Sequence, residues 1–293
     1  MSRLLIFYGV YEKEKTFASA TLATLLDILN QHDVHVAVQD DASPSQLGQR
    51  LMDEFSARVP MRLVRLERSL GYHGTYERAV SFLDRAQSWG QQYDYLIRVD
   101  ADLQFCTRRL REVFSSPRLP EVGMVGPTIE MRLRDFALFL ADQLPFGLKR
   151  TVNDGVMSHD WALRRTRPVW WHDIGRLSLL NGFRGRMVPG VLQIIAWRSI
   201  VEMANRGWLS RPRSSTGLIF QDDLVLTAMV KALGHAVLDI SDVVDNFKCE
   251  LFLAENATAA DVIERGLDLV HPLKDNDWAH SLREVLQKRL SSS

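Results

Sequence analysis

The chain has 293 residues, 46% hydrophobic and 25% charged, enough apolar mass to bury the core of one large domain or two small ones. Its 36 basic and 36 acidic side chains cancel at a sequence pI of about 7.1, which removes any global electrostatic reason to expect a polyanionic partner. Two cysteines, Cys106 and Cys249, have neither the count nor the spacing of a disulfide framework or a zinc site, and they fit reduced thiols in a cytoplasmic protein.

The N-terminal run LLIFYGV is too short for a membrane span, is followed by EKEK and lacks a small-residue cleavage site, so Leu4 to Val10 is predicted as the first strand. TFASATLATLLDILNQ then carries apolar residues at helical spacing. VHVAVQDDAS is a strand that stops at Asp40-Asp41, and SPSQLGQRLMDEFSARV opens with a Ser-Pro helix start. A short strand MRLVRLE, a helix GTYERAVSFLDRAQSWG, a strand YDYLIRVDAD, a helix RRLREVFSSP and a strand VGMVGP continue the rhythm. Alternating strands and helices with short connections imply a doubly wound α/β fold with a mainly parallel sheet. Its functional crevice is expected beyond the carboxyl ends of the strands.

From about residue 130 to 190 the rhythm breaks. MRLRDFALFLADQLPFGLKR is rich in Phe and Leu between basic ends, and the stretch after it gathers Trp161, Trp170 and Trp171 with Arg164, Arg165, Arg167, Arg176, Arg184 and Arg186. It reads as an inserted lid or acceptor region, 130–190, between an α/β half at 1–129 and a second half at 191–293, all within one continuous domain. Beyond it, VLQIIAWRSIVEMANRG and DDLVLTAMVKALG read as helices, HAVLDIS as a strand and TAADVIERGLDLV as a helix. Arg and Trp together suit stacking on sugars or bases, but zero net charge favours a lid whose arginines pair with acids over a nucleic-acid surface. Phe136, Phe139, Leu140 and Leu144 lie at helical spacing, as in a helix at a membrane interface, although a buried amphipathic helix is the simpler reading. No transmembrane segment is expected.

Two strands end in acids, on Asp40-Asp41 and on Asp100-Ala101-Asp102. Carboxylates at i and i+2 can offer oxygens to a hard divalent ion or a sugar hydroxyl; a lone Asp-x-Asp is equally often a turn. The order QDDAS, LGYHGTYERA, VDAD and FQDDLVLTAMVKALG resembles the family 2 glycosyltransferases, which have the glycosyltransferase A-type fold and use nucleotide-sugar donors. The matching positions are Asp40, Asp41 and Ser43 for the first acid motif, Gly71 and Gly74 for the Gly-rich segment, Asp100 and Asp102 for the metal motif, and Asp222-Asp223 ahead of Gly234 for the late acidic motif.

The resemblance implies that Asp40 and Asp41 hold the base or ribose, although either acid also suits an Asx-turn or a helix cap. Gly71 belongs to the donor site, and Arg78 and Lys274 are candidates for the donor phosphates. Asp102 would coordinate Mn²⁺ or Mg²⁺ directly, with Asp100 on the ribose or a metal-bound water. His271 is a candidate third ligand, since some enzymes of this fold use a late His. Asp223 would be the general base of an inverting transfer, with Asp222 in reserve because Gln-Asp-Asp stands where the family usually has Glu-Asp. The implied partners are a nucleotide-diphosphate sugar, expected to be a UDP-sugar, and an acceptor that the sequence does not identify. A sugar-nucleotide nucleotidyltransferase is disfavoured because FYGVYEKEK is a poor phosphate loop. A non-catalytic sugar-binding protein of the same fold needs no base.

Overall fold

The computed structural model describes residues 1–70, 75–142, 169–210, 222–254, 256–273 and 276–292. Strands β1 (Arg3–Val10), β2 (Asp33–Asp40), β3 (Met61–Arg65) and β4 (Tyr95–Asp100) are joined by helices α1 (Ala18–Ile28), α2 (Leu47–Phe55) and α3 (Thr75–Ser88). There follow β5 (Gln104–Phe105), α4 (Leu110–Val113), β6 (Val122–Gly126), β7 (Ile129–Glu130) and α5 (Leu133–Asp142). Next come α6 (Val169–Leu180), β8 (Arg186–Met187), β9 (Leu192–Ala196), α7 (Trp197–Asn205), α8 (Asp222–Ala232) and β10 (Ala236–Asp239). The chain closes with β11 (Cys249–Glu250), α9 (Ala259–Glu264), β12 (Leu269–Val270) and α10 (Asp277–Ser292).

Seven strands form the central sheet in the order β10-β6-β9-β4-β1-β2-β3. All neighbours are parallel except β9, which runs antiparallel between β4 and β6. The expectation of a mainly parallel α/β sheet is met, with strands supplied from both sides of the 130–190 stretch.

The period of two along each strand divides the core into two layers. Leu4, Ile6, Tyr8 and Val10 of β1 face one apolar layer with α1 and α2, whereas Leu5 and Phe7 face the other with α3, α7 and α8. Phe7 stacks on Phe82 of α3 at 3.8 Å between ring centroids. Full burial of such a side chain contributes about 1.5–3 kcal/mol, so the α3 face is anchored by ordinary packing. On β4, Ile97 and Val99 fill the first layer and Leu96 the second. Alternation therefore places Arg98 and Asp100 on the α3/α8 side. A smaller sheet, β11-β12-β5, sits beyond the end of β4.

Two sequence readings are corrected. VLQIIAWRSIVEMANRG is not one helix: Leu192–Ala196 is strand β9, and helix begins at Trp197. All five β9 residues are buried, so the strand lacks the polar alternation that would separate it from a helix. The helix read through TAADVIERGLDLV ends at Glu264, and Leu269–Val270 is the strand that delivers His271.

In α5, Phe139 is fully buried, with ring centroids 5.1 Å from Phe183 and 6.0 Å from Trp171. Phe139 and the partly buried Phe136 are thus packed into protein, whereas Leu140 on the same stripe is 39% exposed. Trp161, Arg164, Arg165, Arg167 and Leu144 lie outside the described residues, as does the side chain of Trp170. No described helix is long and apolar enough to cross a membrane.

Gly126, at the end of β6, is needed for close approach. A Cβ there would lie 2.3 Å from the Leu192 carbonyl oxygen and 2.4 Å from Val188 Cγ1. Gly126→Ala is expected to cost about 1–3 kcal/mol by forcing β6 and β9 apart. Urea unfolding checks it, and a midpoint equal to that of the wild type would rule out so tight a contact.

Candidate active site

The register of the parallel strands builds the crevice. Val10 pairs with Asp40, and Gly9 with Asp100, so β1, β2 and β4 end together at one edge of the sheet. A cavity at that edge is lined by Tyr11, Asp41, Arg78, Arg98 and Asp100 among others.

The first acid pair divides. Asp40 is wholly buried and accepts from Ser43 N (2.7 Å), Ser43 Oγ (2.9 Å) and Gly48 N (3.0 Å). That is the turn-forming alternative: both oxygens hold the passage from β2 into α2. Asp41 instead faces the cavity. Its Oδ1 accepts from Leu70 N (2.9 Å), and its Oδ2 from Ser69 Oγ (2.7 Å) and Arg78 Nη1 (3.1 Å). The Arg78 guanidinium also lies over the Tyr11 ring, 4.6 Å from its centroid. A buried ion pair needs further hydrogen bonds to offset desolvation, and Asp41 has them.

At the end of β4 the chain turns, with Leu103 N donating to Asp100 O at 3.2 Å. Asp100, Asp102 and His271 offer ligand atoms that all lie within 4.8 Å of one another. His271 Nε2 is 3.1 Å from Asp102 Oδ1. Burial alone would disfavour the charged ring, but the Asp102 hydrogen bond and the charges of Asp102 and Asp100 outweigh it and raise the His271 pKa. Two carboxylate oxygens and one imidazole nitrogen on one side of a cavity fit a divalent ion with open positions. The nitrogen suits Mn²⁺ better than the oxygen-seeking Mg²⁺.

Asp223, in the first turn of α8, approaches Arg98, which lines that cavity. Its Oδ1 accepts from Gly190 N at 2.7 Å and lies 3.8 Å from Arg98 Nη1. Arg98 is two residues before Asp100 on the same face of β4. It thereby joins the candidate base to the strand of the acid motif. Gln193, opposite Arg98 on β9, accepts from Arg98 Nη1 at 3.3 Å and donates to Val188 O at 2.7 Å. A Cβ on Gly190 would lie 2.6 Å from Arg98 Nη2 and 2.8 Å from Asp223 Oδ1, so a larger residue there would displace the ends of both side chains.

The structure thus brings Asp41, Arg78, Asp100, Asp102, His271 and Asp223 to one edge of the sheet and turns Asp40 into the β2–α2 connection. Gly71, Gly74 and Lys274 lie outside the described residues, as does the side chain of Asp222. Arg98 was missed by sequence reasoning, although a lone Arg inside the apolar run YLIRVD was its signal. Glu14 was missed too. It sits in a short helical turn after β1, accepts from Tyr11 N at 3.1 Å, and has its pKa pushed well up by burial and by the charges of Asp102 and Asp100.

No protein-family model matches the chain, and no curated protein matches it. Solved structures do. WbbM, a bifunctional glycosyltransferase, is 9% identical over 99% of this chain and 52% of its own, with a TM-score of 0.51. The galactosyltransferase LgtC, solved with donor and acceptor sugar analogues, is 10% identical over 97% of this chain and 95% of its own, at 0.48. The mannosyltransferase PcManGT of Pyrobaculum calidifontis, solved with GDP-Man and Mn²⁺, is 14% identical over 99% and 62%, at 0.47. The chain thus spans about half to two thirds of the length of WbbM and PcManGT. The WbbM likeness, over nearly the whole chain, shows the fold: the glycosyltransferase A-type α/β architecture.

Glu14 gives a pH prediction. Its folded pKa stands above the ordinary 4.5, so the metal-free native state holds a proton that the unfolded chain has released. Stability therefore falls as pH rises from 4.5 through the folded value. Glu14→Gln keeps an acceptor for Tyr11 N and removes this loss. Its Tm advantage over the wild type is expected to widen as pH rises from 4.5, whereas parallel Tm curves would show that Glu14 feels no such field.

Proposed function

We propose that this chain is a glycosyltransferase that moves a sugar from a nucleoside-diphosphate donor to an acceptor hydroxyl with inversion, using a divalent cation, preferentially Mn²⁺. The convergence of Asp100, Asp102 and His271 within 4.8 Å beside a cavity that also holds Asp41 and Arg98 carries the reading. A binding protein would have no use for a carboxylate held as Asp223 is, and the nucleotidyltransferase reading gains nothing from the cavity.

In this reading Asp41, poised by Ser69, Leu70 and Arg78, accepts from the imino group of the base, as uracil would offer. Asp100, Asp102 and His271 hold the ion, which when bound supplies Lewis-acid neutralisation of the departing diphosphate. Asp223 is the base. The positive end of α8, the Gly190 N–H and the Arg98 guanidinium all favour its ionised form. Oδ1 is tied to Gly190, and Oδ2 takes the proton of the acceptor hydroxyl as that oxygen attacks the anomeric carbon opposite the leaving group. The 130–190 stretch is the acceptor-side region.

Thermal stabilisation by UDP and by GDP, each with and without Mn²⁺, tests the donor site. A metal-dependent Tm rise with one nucleotide is expected, lost in Asp102→Ala and kept in Asp223→Asn. With the matching nucleotide sugar, Asp223→Asn is expected to lower turnover about 10²–10⁴-fold. No shift with either nucleotide, or wild-type turnover in Asp223→Asn, would overturn the donor or the base assignment respectively.

A further inference from the structure

The turn that carries the acid pair is held from behind by residues remote in sequence. Three successive carbonyls of the turn are engaged. Thr21 Oγ1, on α1, lies 2.8 Å from Ala101 O and 3.0 Å from Leu103 O, and one hydroxyl proton is shared between them. Leu273 N donates to Asp102 O at 3.0 Å. Arg283, on α10, donates through Nη1 to Thr21 Oγ1 at 2.7 Å and through Nη2 to Leu103 O at 3.4 Å. Thr21 and Arg283 are 262 residues apart in the chain, yet both are almost wholly buried.

Burying a guanidinium is costly unless a carboxylate pairs with it. Among the described residues Arg283 has no ion-pair partner. Its contacts are the Thr21 hydroxyl, the Leu103 carbonyl and the face of Phe17, 4.5 Å from the ring centroid. Its Nε is buried without a hydrogen-bond partner among those residues. Desolvation pulls the Arg283 pKa down to about 10, against the raising influence of Tyr8 and Asp102. Docking of an amphipathic helix needs no such group, because Leu282, Leu286 and Leu290 already bury its apolar side.

We infer that Arg283 is a positioning residue of the metal site: acting through Thr21, it fixes the Asp100–Leu103 turn so that Asp100, Asp102 and His271 converge. The C-terminal helix is then part of the site rather than a cover for the sheet. The inference rests on the reading of those three residues as a divalent-cation site.

The sign of the effect separates positioning from charge. Removing a nearby positive charge tightens binding of a cation, whereas loosening the turn weakens it. Thr21→Val removes the relay and leaves the Arg283 charge in place. Groups that orient metal ligands typically contribute 10–100-fold in affinity. Mn²⁺ alone is the probe, its binding read by electron paramagnetic resonance of the free ion, with the metal-free Tm as the control for folding.

Thr21→Val is expected to weaken Mn²⁺ binding by about tenfold or more, and Thr21→Ser, which restores the hydroxyl, to return it to the wild-type value. Arg283→Lys, with one ammonium in place of a fork, is expected to fall between wild type and Thr21→Val. Unchanged or tighter Mn²⁺ binding by folded Thr21→Val overturns the inference. Should that variant not fold, Arg283→Lys decides in the same way. If Asp102→Ala binds Mn²⁺ as the wild type does, the cation-site reading itself fails and the inference falls with it; if Asp102→Ala loses Mn²⁺ while Thr21→Val retains it, the inference alone fails.

Discussion

Two carboxylates one residue apart, in a turn only partly open to solvent, repel one another. Ligand atoms within 4.8 Å set that repulsion at roughly 3 kcal/mol or more for an effective dielectric near 20. The structure around Asp100 and Asp102 is organised by this constraint. His271 bonds one of them, and Arg98 stands two residues back on the same face of the strand. Arg283 lies buried behind the turn, and its pKa registers the Asp102 charge. Glu14, also near the pair, responds in the same sense, with its proton held more tightly. A site that concentrates negative charge in this way is preorganised for a cation.

Like charges stay together only where the backbone is over-determined. Asp100 ends a strand paired on both sides, with β1 in parallel and β9 antiparallel. The carbonyls of the next three residues are each taken by a donor from another element. Residues of the first strand-helix unit and the last helix meet behind the acids, so the two ends of the chain brace one turn. Asp268 extends the bracing, since it accepts from Thr107 Oγ1 at 2.5 Å, Arg109 Nη1 at 3.2 Å and Lys248 N at 2.9 Å, joining β12 to the segment after β5.

Much of this edge was legible in the sequence because strand ends announce themselves. An apolar run that stops on acids marks both a β-strand and its carboxyl end, which is why Asp41, Asp100 and Asp102 stand out before any tertiary contact is considered. Distinguishing Asp40 from Asp41 needed the register of the turn, since both are chemically alike and only one is used up by Ser43 and Gly48. β9 was misread because burial on both faces erases the alternation that identifies a strand. Thr21, Arg283 and Glu14 were invisible for another reason: in a helix or a charged run such residues resemble solvated surface, and their meaning lies in partners far along the chain.

The placement of Asp223 depends on that misread strand. By running antiparallel to β4, β9 puts Gln193 opposite Arg98, and the Gln193 amide is itself fixed by the Val188 carbonyl. A planar guanidinium offers several donors in a set geometry, so Arg98 addresses Gln193 and Asp223 together, which a lysine ammonium would do less well. Gly190, in the approach to β9, supplies the backbone N–H to Asp223 and lacks the Cβ that would separate the two charged groups. The position of the candidate base relative to the acid motif is therefore set by the interior of the sheet. A mixed strand order, with one antiparallel strand between β4 and β6, is what lets a helix from the later part of the chain bring its carboxylate to Arg98, at the cavity built by the earlier part.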